Sequence, residues 1–222
     1  MRNTDAVIAF SVIGLISLEA HAGAEQSFDV AEFTRVAASQ GIEVNITMGS
    51  IPRVTASAET EKDLERLEIN VDDGELRIRR GSWSSSIWNW GKSYGNVSVN
   101  VVVPKLEGLS SSSGANLTAV DISCQELSID ASSGSRLNVS GRCKEIDVDA
   151  SSGASIKARE LEAKSVAVDA SSGANVNVFA AINFQGDASS GANVDVYGGS
   201  QTFESDTSSG ARINRQAERD LI

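Results

Sequence analysis

Along the second half of the chain, apolar and polar positions alternate in short bursts, and the bursts are separated by one recurring tripeptide. Leu127 and Ile129, Ile146 and Val148, and Val166 and Val168 stand two apart before it. Leu117, Leu137, Ile156, Val176, Val194 and Ile213 each stand three residues after its last position. A period of two marks a strand with one buried face. The tripeptide is Ser-Ser-Gly, ending at Gly114, Gly134, Gly153, Gly173, Gly191 and Gly210, at intervals of 20, 19, 20, 18 and 19 residues. Two small polar residues and a glycine between strands predict a tight bend, with the glycine supplying a backbone conformation that other residues resist. A strand-turn-strand unit of this length cannot bury its own apolar face. Copies stacked about 4.8 Å apart can. The pattern therefore predicts an all-β parallel solenoid with one Ser-Ser-Gly turn in each rung. In the last two units Gly186 and Ser205 replace the inner aliphatic, while Phe184 and Phe203 enlarge the inner position two residues earlier. A packed core requires such volume compensation.

The first half lacks the tripeptide and keeps the alternation. Ile42, Val44, Ile46 and Met48 predict one strand, and Leu67, Ile69 and Val71 another. Asp73-Gly74 is a hairpin signal before Leu76 and Ile78. Val97, Val99, Val101 and Val103 predict a strand stopped by Pro104, and only 60–66 looks helical. These segments are expected to form less regular rungs and to cover one end of the stack, where strand edges would otherwise be exposed. The tail from Asn214 to Asp220 could blunt the other end. With no linker in sight, 23–222 is expected to be one domain: irregular rungs and cap over 23–108, six repeats over 109–213, and a tail over 214–222.

The N-terminus changes the chemistry. Arg2 is followed by a mostly apolar run from Ala6 to Leu18 and then by Ala20-His21-Ala22. This pattern predicts a signal peptide, 1–22, cleaved after Ala22. The run is short of the roughly 20 residues that span a bilayer, and no later segment is apolar enough to span as a helix. The whole chain carries a formal charge of −11. Loss of Arg2, Asp5 and Glu19 leaves 18 basic and 28 acidic residues, a net −10. Nucleic acid is excluded as a partner, because phosphate binding needs a basic face. Cleavage also removes His21, the only histidine. Ser-His-Asp and Cys-His catalysis and histidine-ligated metal or haem then fall away. Six equivalent Ser-Ser-Gly copies with no base do not make a nucleophile elbow.

Four groups remain as candidates. Asp130, Asp149, Asp169, Asp187 and Asp206 each lie four residues before a repeat glycine. In-register stacking would line them up about 4.8 Å apart, with neighbours repelling by roughly 0.9 kcal/mol in water and about 3.5 at an effective dielectric of 20. Each could accept hydrogen bonds from its own bend, or the column could hold a divalent cation such as Ca2+. No other cofactor is indicated. Asn116, Asn175 and Asn193 share the position two after glycine, with Arg136, Ser155 and Arg212 in the other rungs, and stacked amides can bond along the axis. Cys124 and Cys143 each stand ten before their glycine. Adjacent rungs would bring their Cα atoms within disulfide range, and export would favour the bond. Two stacked thiols in the core are the alternative. Trp83, Trp88, Trp90 and Tyr94 crowd between Gly81 and Gly95 among Ser, Asn and Gly. Such a loop could stack sugar rings or contact a partner, or fold back over one end of the core.

The unit Asp-Ala-Ser-Ser-Gly-Ala-Asn-Val-Asn-Val, and the entry Val101-Val102-Val103-Pro104-Lys105-Leu106 that leads into the first turn, resemble the bacterial family called putative auto-transporter adhesin, head GIN domain. The resemblance runs from Phe28 to Ile213. It implies a right-handed β-helix-like fold, a cell-envelope or extracellular location, and adhesion without catalytic residues. Together these readings give a non-catalytic exported domain that presents a β-solenoid surface to a glycan or an envelope protein. Its location is expected to be periplasmic or at the cell surface, and homo-oligomers are allowed. A carbohydrate-active enzyme on a β-helix scaffold and a purely structural self-associating module are the alternatives.

Overall fold

The computed structural model describes residues 23–81 and 95–216. In chain order its elements are β1 (Ala24–Phe28), β2 (Arg35–Ala38), β3 (Glu43–Met48), β4 (Arg53–Ala58), α1 (Glu61–Leu64), β5 (Leu67–Asp72), β6 (Glu75–Arg80), β7 (Val97–Val103), β8 (Gly108–Ser111), β9 (Asn116–Ala131), β10 (Arg136–Ala150), β11 (Ser155–Ala170), β12 (Asn175–Ala188), β13 (Asn193–Tyr197), β14 (Thr202–Thr207) and β15 (Arg212–Arg215). All of the strands belong to one hydrogen-bonded sheet that winds into a parallel β-solenoid.

The turns explain the winding. In each Ser-Ser-Gly the second serine and the glycine both have positive φ, as at Ser133 (53°) and Gly134 (68°). The residue after the glycine donates its N–H back to the first serine, as from Ser135 to Ser132 at 3.1 Å. Two left-handed central residues closed by that bond make a type I′ turn. The glycine N–H then bonds along the axis. Gly114 donates to Ser133, Gly134 to Ser152, Gly153 to Ser172, Gly173 to Ser190 and Gly191 to Ser209, all at 3.0–3.1 Å. Each turn is thereby pinned to the next one.

A seventh turn continues this column where the tripeptide is missing. Gln40 and Gly41 have φ of 62° and 70°, and Gly41 donates to Ser113 at 3.1 Å. The coil of β2 and β3 therefore lies directly beneath that of β8 and β9: Ala38 pairs with Ser111, and Val44 with Leu117. Below it lie β6, parallel to β2, and β7, parallel to β3. Antiparallel strands close this end, β5 against β6 and β4 against β7, with β1 outermost on β4. Thr60 caps the short helix α1 by accepting from the Asp63 N–H, and Leu64 buries its side chain.

The inward columns carry the core. Leu117, Leu137, Ile156, Val176 and Val194 stack in register, as do Leu127, Ile146, Val166 and Phe184. All of these side chains are buried. At roughly 1.5–3 kcal/mol for each large apolar side chain removed from water, the columns supply most of the stabilisation. Beside the turns the two faces converge, and alanines fill the narrow corner. Ser135 replaces alanine there, and its buried hydroxyl donates to the Ser111 carbonyl at 2.7 Å. The expected Phe/Gly compensation is present. The Phe184 and Phe203 rings stack with centroids 4.8 Å apart, and a Cβ on Gly186 would lie 2.6 Å from the Phe184 ring.

The edge opposite the turns is a bend inside the long strands β9–β12, where registers slip. Cys124 and Cys143 pair here and form a disulfide, with Cα atoms 4.6 Å apart. Gly141 bends the chain with φ of 129°, so close to the neighbouring rung that a Cβ would lie 2.2 Å from the Ile122 carbonyl oxygen. At the C-terminal end the edge strands β14 and β15 are followed by Gln216, and the side chains fold back. Arg215 lies over the Phe203 ring, and Asn214 and Gln216 both donate to Asp195.

Two outcomes test this account. Reduction, or the Cys124→Ser/Cys143→Ser double variant, is expected to cost about 3 kcal/mol in denaturant unfolding, from loop-closure entropy over 19 residues. An unchanged midpoint would show that the bond constrains nothing. Gly153→Ala, at an open turn, is expected to cost about 1 kcal/mol. Gly141→Ala should cost about 3 kcal/mol or more because the added Cβ meets backbone. The reverse order would refute the close approach.

Candidate functional site

The stacking brings the predicted aspartates together as a column. Asp130 pairs with Asp149, Asp149 with Asp169, Asp169 with Asp187, and Asp187 with Asp206. All five are exposed, on the outer side of the strands that enter the turns. A cleft of about 390 Å³ runs beside them, lined by Asp130, Asp149, Asp169 and turn serines. The expected hydrogen bonds to their own bends are not how they are held. The turn N–H groups bond along the axis and within the turn, and among the described residues the one side-chain donor to this column is Ser128 Oγ, 3.3 Å from Asp130. The carboxylates are strung one to a rung. No three acidic or sulfur side chains among the described residues converge into a metal-binding group.

This arrangement shifts two of them. Loss of hydration beside neighbouring strands raises the Asp130 carboxyl above its usual range, and Asp147 and Glu75 add to the shift. Desolvation also raises Asp149, with Asp130, Asp147 and Asp169 adding like charge. A carboxyl raised on folding binds its proton more tightly in the native state. Its contribution to stability is full below the ordinary value of 3.8 and fades as pH rises through the folded value.

The asparagine position is also in register, Asn116 with Arg136, Arg136 with Ser155, Ser155 with Asn175, and Asn175 with Asn193. Asn175 donates to the carbonyl of Gly173 in its own turn at 3.3 Å, rather than along the axis. Trp83, Trp88, Trp90 and Tyr94 lie outside the described residues, as does the predicted signal peptide. The anchors of the tryptophan segment are described. β6 pairs with β2 and β7 with β3, so the segment between them starts and ends where the other coils have their tight turn. Arg80 donates to the Gly95 carbonyl at 3.0 Å, and its N–H donates to Gln40 Oε1 at 2.8 Å. Gln40, standing where the repeats have serine, ties the seventh turn to the base of this segment. Gly95 lies against the Asp63 carboxylate and Gly81 against that of Glu68.

One groove was not anticipated from the sequence. It lies on the outer face of the strands that leave the turns, near the bend, has a volume of about 430 Å³, and is bordered by Lys157, Arg159 and Tyr197. Its only sequence signal is the set of residues that break the repeat length between Ala158 and Glu162.

The carboxylate column yields a pH prediction. Asp149→Asn is expected to raise Tm at pH 7 slightly, on the order of 1–2 °C for one partly solvated charge. The gain should vanish near pH 3, where the wild-type carboxyl is protonated. Thermal unfolding at both pH values checks this, and a gain that persists in acid would contradict it.

Among curated proteins none matches this chain. Among solved structures the fold is similar to a "putative adhesin" from Bacteroides fragilis, with TM-score 0.66, 12% identity, and coverage of 86% of this chain and 95% of that one. It is also similar to a "putative lipid binding protein" from Parabacteroides distasonis, with TM-score 0.55, 14% identity, and coverage of 89% and 97%. Identities this low speak for the fold alone. The model of the family described as "Putative auto-transporter adhesin, head GIN domain" matches residues 32–200. That match takes in the seven stacked turns but the last, together with the capping strands β4 to β6, and the chain belongs to this family.

Proposed function

We propose that the protein is a non-catalytic, exported binding domain of the cell envelope, with residues 1–22 removed and 23–222 forming one solenoid domain that binds surface glycans. Several features support this reading. The family is adhesin-like. No helix among the described residues is long and apolar enough to cross a membrane. The acidic side chains repeat along a column instead of forming one singular acid-base pair, which gives general acid-base chemistry no focus.

The observation that carries the glycan reading is the placement of the tryptophan segment. A rigid scaffold with a loop replacing one turn is a common way to mount recognition residues. Here the residues that flank the segment are tied by Arg80, which bonds to Gln40 and to the Gly95 carbonyl. Three tryptophans and a tyrosine at that position offer flat apolar faces with polar edges, the chemistry that stacks on sugar rings. A lipid ligand would call for a deep apolar cavity. The described core is filled by side chains instead.

Binding to immobilised envelope polysaccharides tests the proposal. Trp88→Ala/Trp90→Ala is expected to weaken retention at least tenfold while leaving Tm within a few degrees. Retention unchanged in this variant and in a deletion of 82–94 would overturn the assignment of the loop.

A further inference from the structure

The groove on the outer face is lined, among the described residues, by β9 to β13. Its floor is a register row that crosses the coils: Asn138 pairs with Lys157, and Lys157 with Asn177. Its wall comes from an irregularity. Ala158 pairs with Val178 and Glu162 with Phe179, so β11 carries three residues, Arg159, Glu160 and Leu161, that β12 does not match. Leu161 turns into the core and is buried, while Arg159 and Glu160 are left outside. The Arg159 guanidinium reaches across β12 to lie 4.2 Å from the centroid of the Tyr197 ring. A cation held over an aromatic face is fixed in position without losing its charge.

The charges here run against the rest of the molecule. The chain carries −11, and its ion pairs elsewhere join Arg77, Arg79, Lys105 and Arg142 to carboxylates. Among the described residues neither Lys157 nor Arg159 makes an ion pair. Two of the acids around the groove have partners of their own. Asp195, next in the row after Asn177, accepts from Asn214 and Gln216. Glu162 is taken by Arg142 at 3.0 Å. Glu160 is exposed on the groove rim. Two cations without an ion-pair partner among the described residues thus stand beside two amides that can each donate and accept, with one carboxylate acceptor at the rim. The volume of about 430 Å³ is in the range of small-ligand sites, and its polar groups sit on paired strands, which keeps them preorganised.

We infer that this groove is a second binding site, specific for a sugar that bears a carboxylate. The carboxylate pairs with Lys157 and Arg159, a charge-assisted contact in which arginine offers a planar fork. The ring hydroxyls exchange hydrogen bonds with Asn138, Asn177 and Glu160. A neutral sugar would leave both cations without an ion-pair partner, and a bare anion would leave the amides unused.

Backbone amide NMR titration of the purified protein with D-galacturonate, D-galactose and acetate tests the site, since the two sugars differ at one carbon. Galacturonate is expected to shift the amides of Asn138, Lys157 and Asn177 with an affinity at least tenfold above that for galactose. The shifts should survive deletion of 82–94 and be lost in Lys157→Ala/Arg159→Ala, both exposed positions outside the core. Tyr197→Leu, which keeps both cations and removes the ring under Arg159, should weaken binding by a smaller factor. Equal shifts with acetate would show anion binding without sugar recognition and overturn the inference. So would galactose binding that matches galacturonate or persists in the double variant, and that result would leave the loop-based glycan reading standing. No shift at these amides with galacturonate would also overturn it.

Discussion

The hydrogen bond from each turn glycine N–H to the serine carbonyl of the next turn is the constraint on which the rest of this solenoid depends. Strand ladders alone allow a parallel coil to slide by two residues and still bury the same kind of face. The axial bond removes that freedom, because it exists only when turn lies on turn. Once the turns are aligned, every position counted from them is aligned too. The core columns, the aspartates and the cysteines are consequences of that one contact repeated from Gly41 to Gly191.

Alignment has a cost that the structure meets position by position. Identical residues must tolerate their own copies. Apolar columns do so readily, and where one rung enlarges to Phe184 its neighbour in the same strand shrinks to Gly186. A buried serine is accepted at Ser135 because its hydroxyl finds the Ser111 carbonyl. Aspartates are accepted because they face solvent, although Asp130 and Asp149 hold their protons more tightly for it. The serine that precedes each glycine is kept in left-handed backbone, a conformation disfavoured for any residue with a Cβ, and the turn's two hydrogen bonds hold it there.

Most of the repeat region was legible because period, turn and register are the same information written three times. The disulfide followed from equal offsets of Cys124 and Cys143, and the hairpin at Asp73-Gly74 and the strand ending before Pro104 followed from local chemistry. The seventh turn was not legible. Ser39-Gln40-Gly41 lacks the second serine, and Gln40 is there because its side chain reaches β6 rather than because the turn needs it. The antiparallel strands β1 and β4 were missed as well, since Val54, Ala56 and Ala58 form too weak an apolar alternation to stand out from a loop. The groove was not read either, because a change in repeat length does not say where the extra residues go. It depends on which three residues of β11 go unmatched, and register slips of that kind are decided by how long strands bend around the core, not by any property of the segment itself.

The threading of the first coils bears on how the chain becomes folded. From β8 onward each coil meets a neighbour about twenty residues away, and the stack can grow by local addition. The coil of β2 and β3 is different: it lies between β6, whose pairing with Arg35 begins at Glu75, and β8, whose pairing begins at Gly108. Its partners are separated from it by 40 and 73 residues. A chain emerging with its N-terminus first must therefore leave one edge of β2 bare for 40 residues and the other for 73, a third of the protein. Until both partners are in place, the unpaired edges of this coil are open to pairing with other chains.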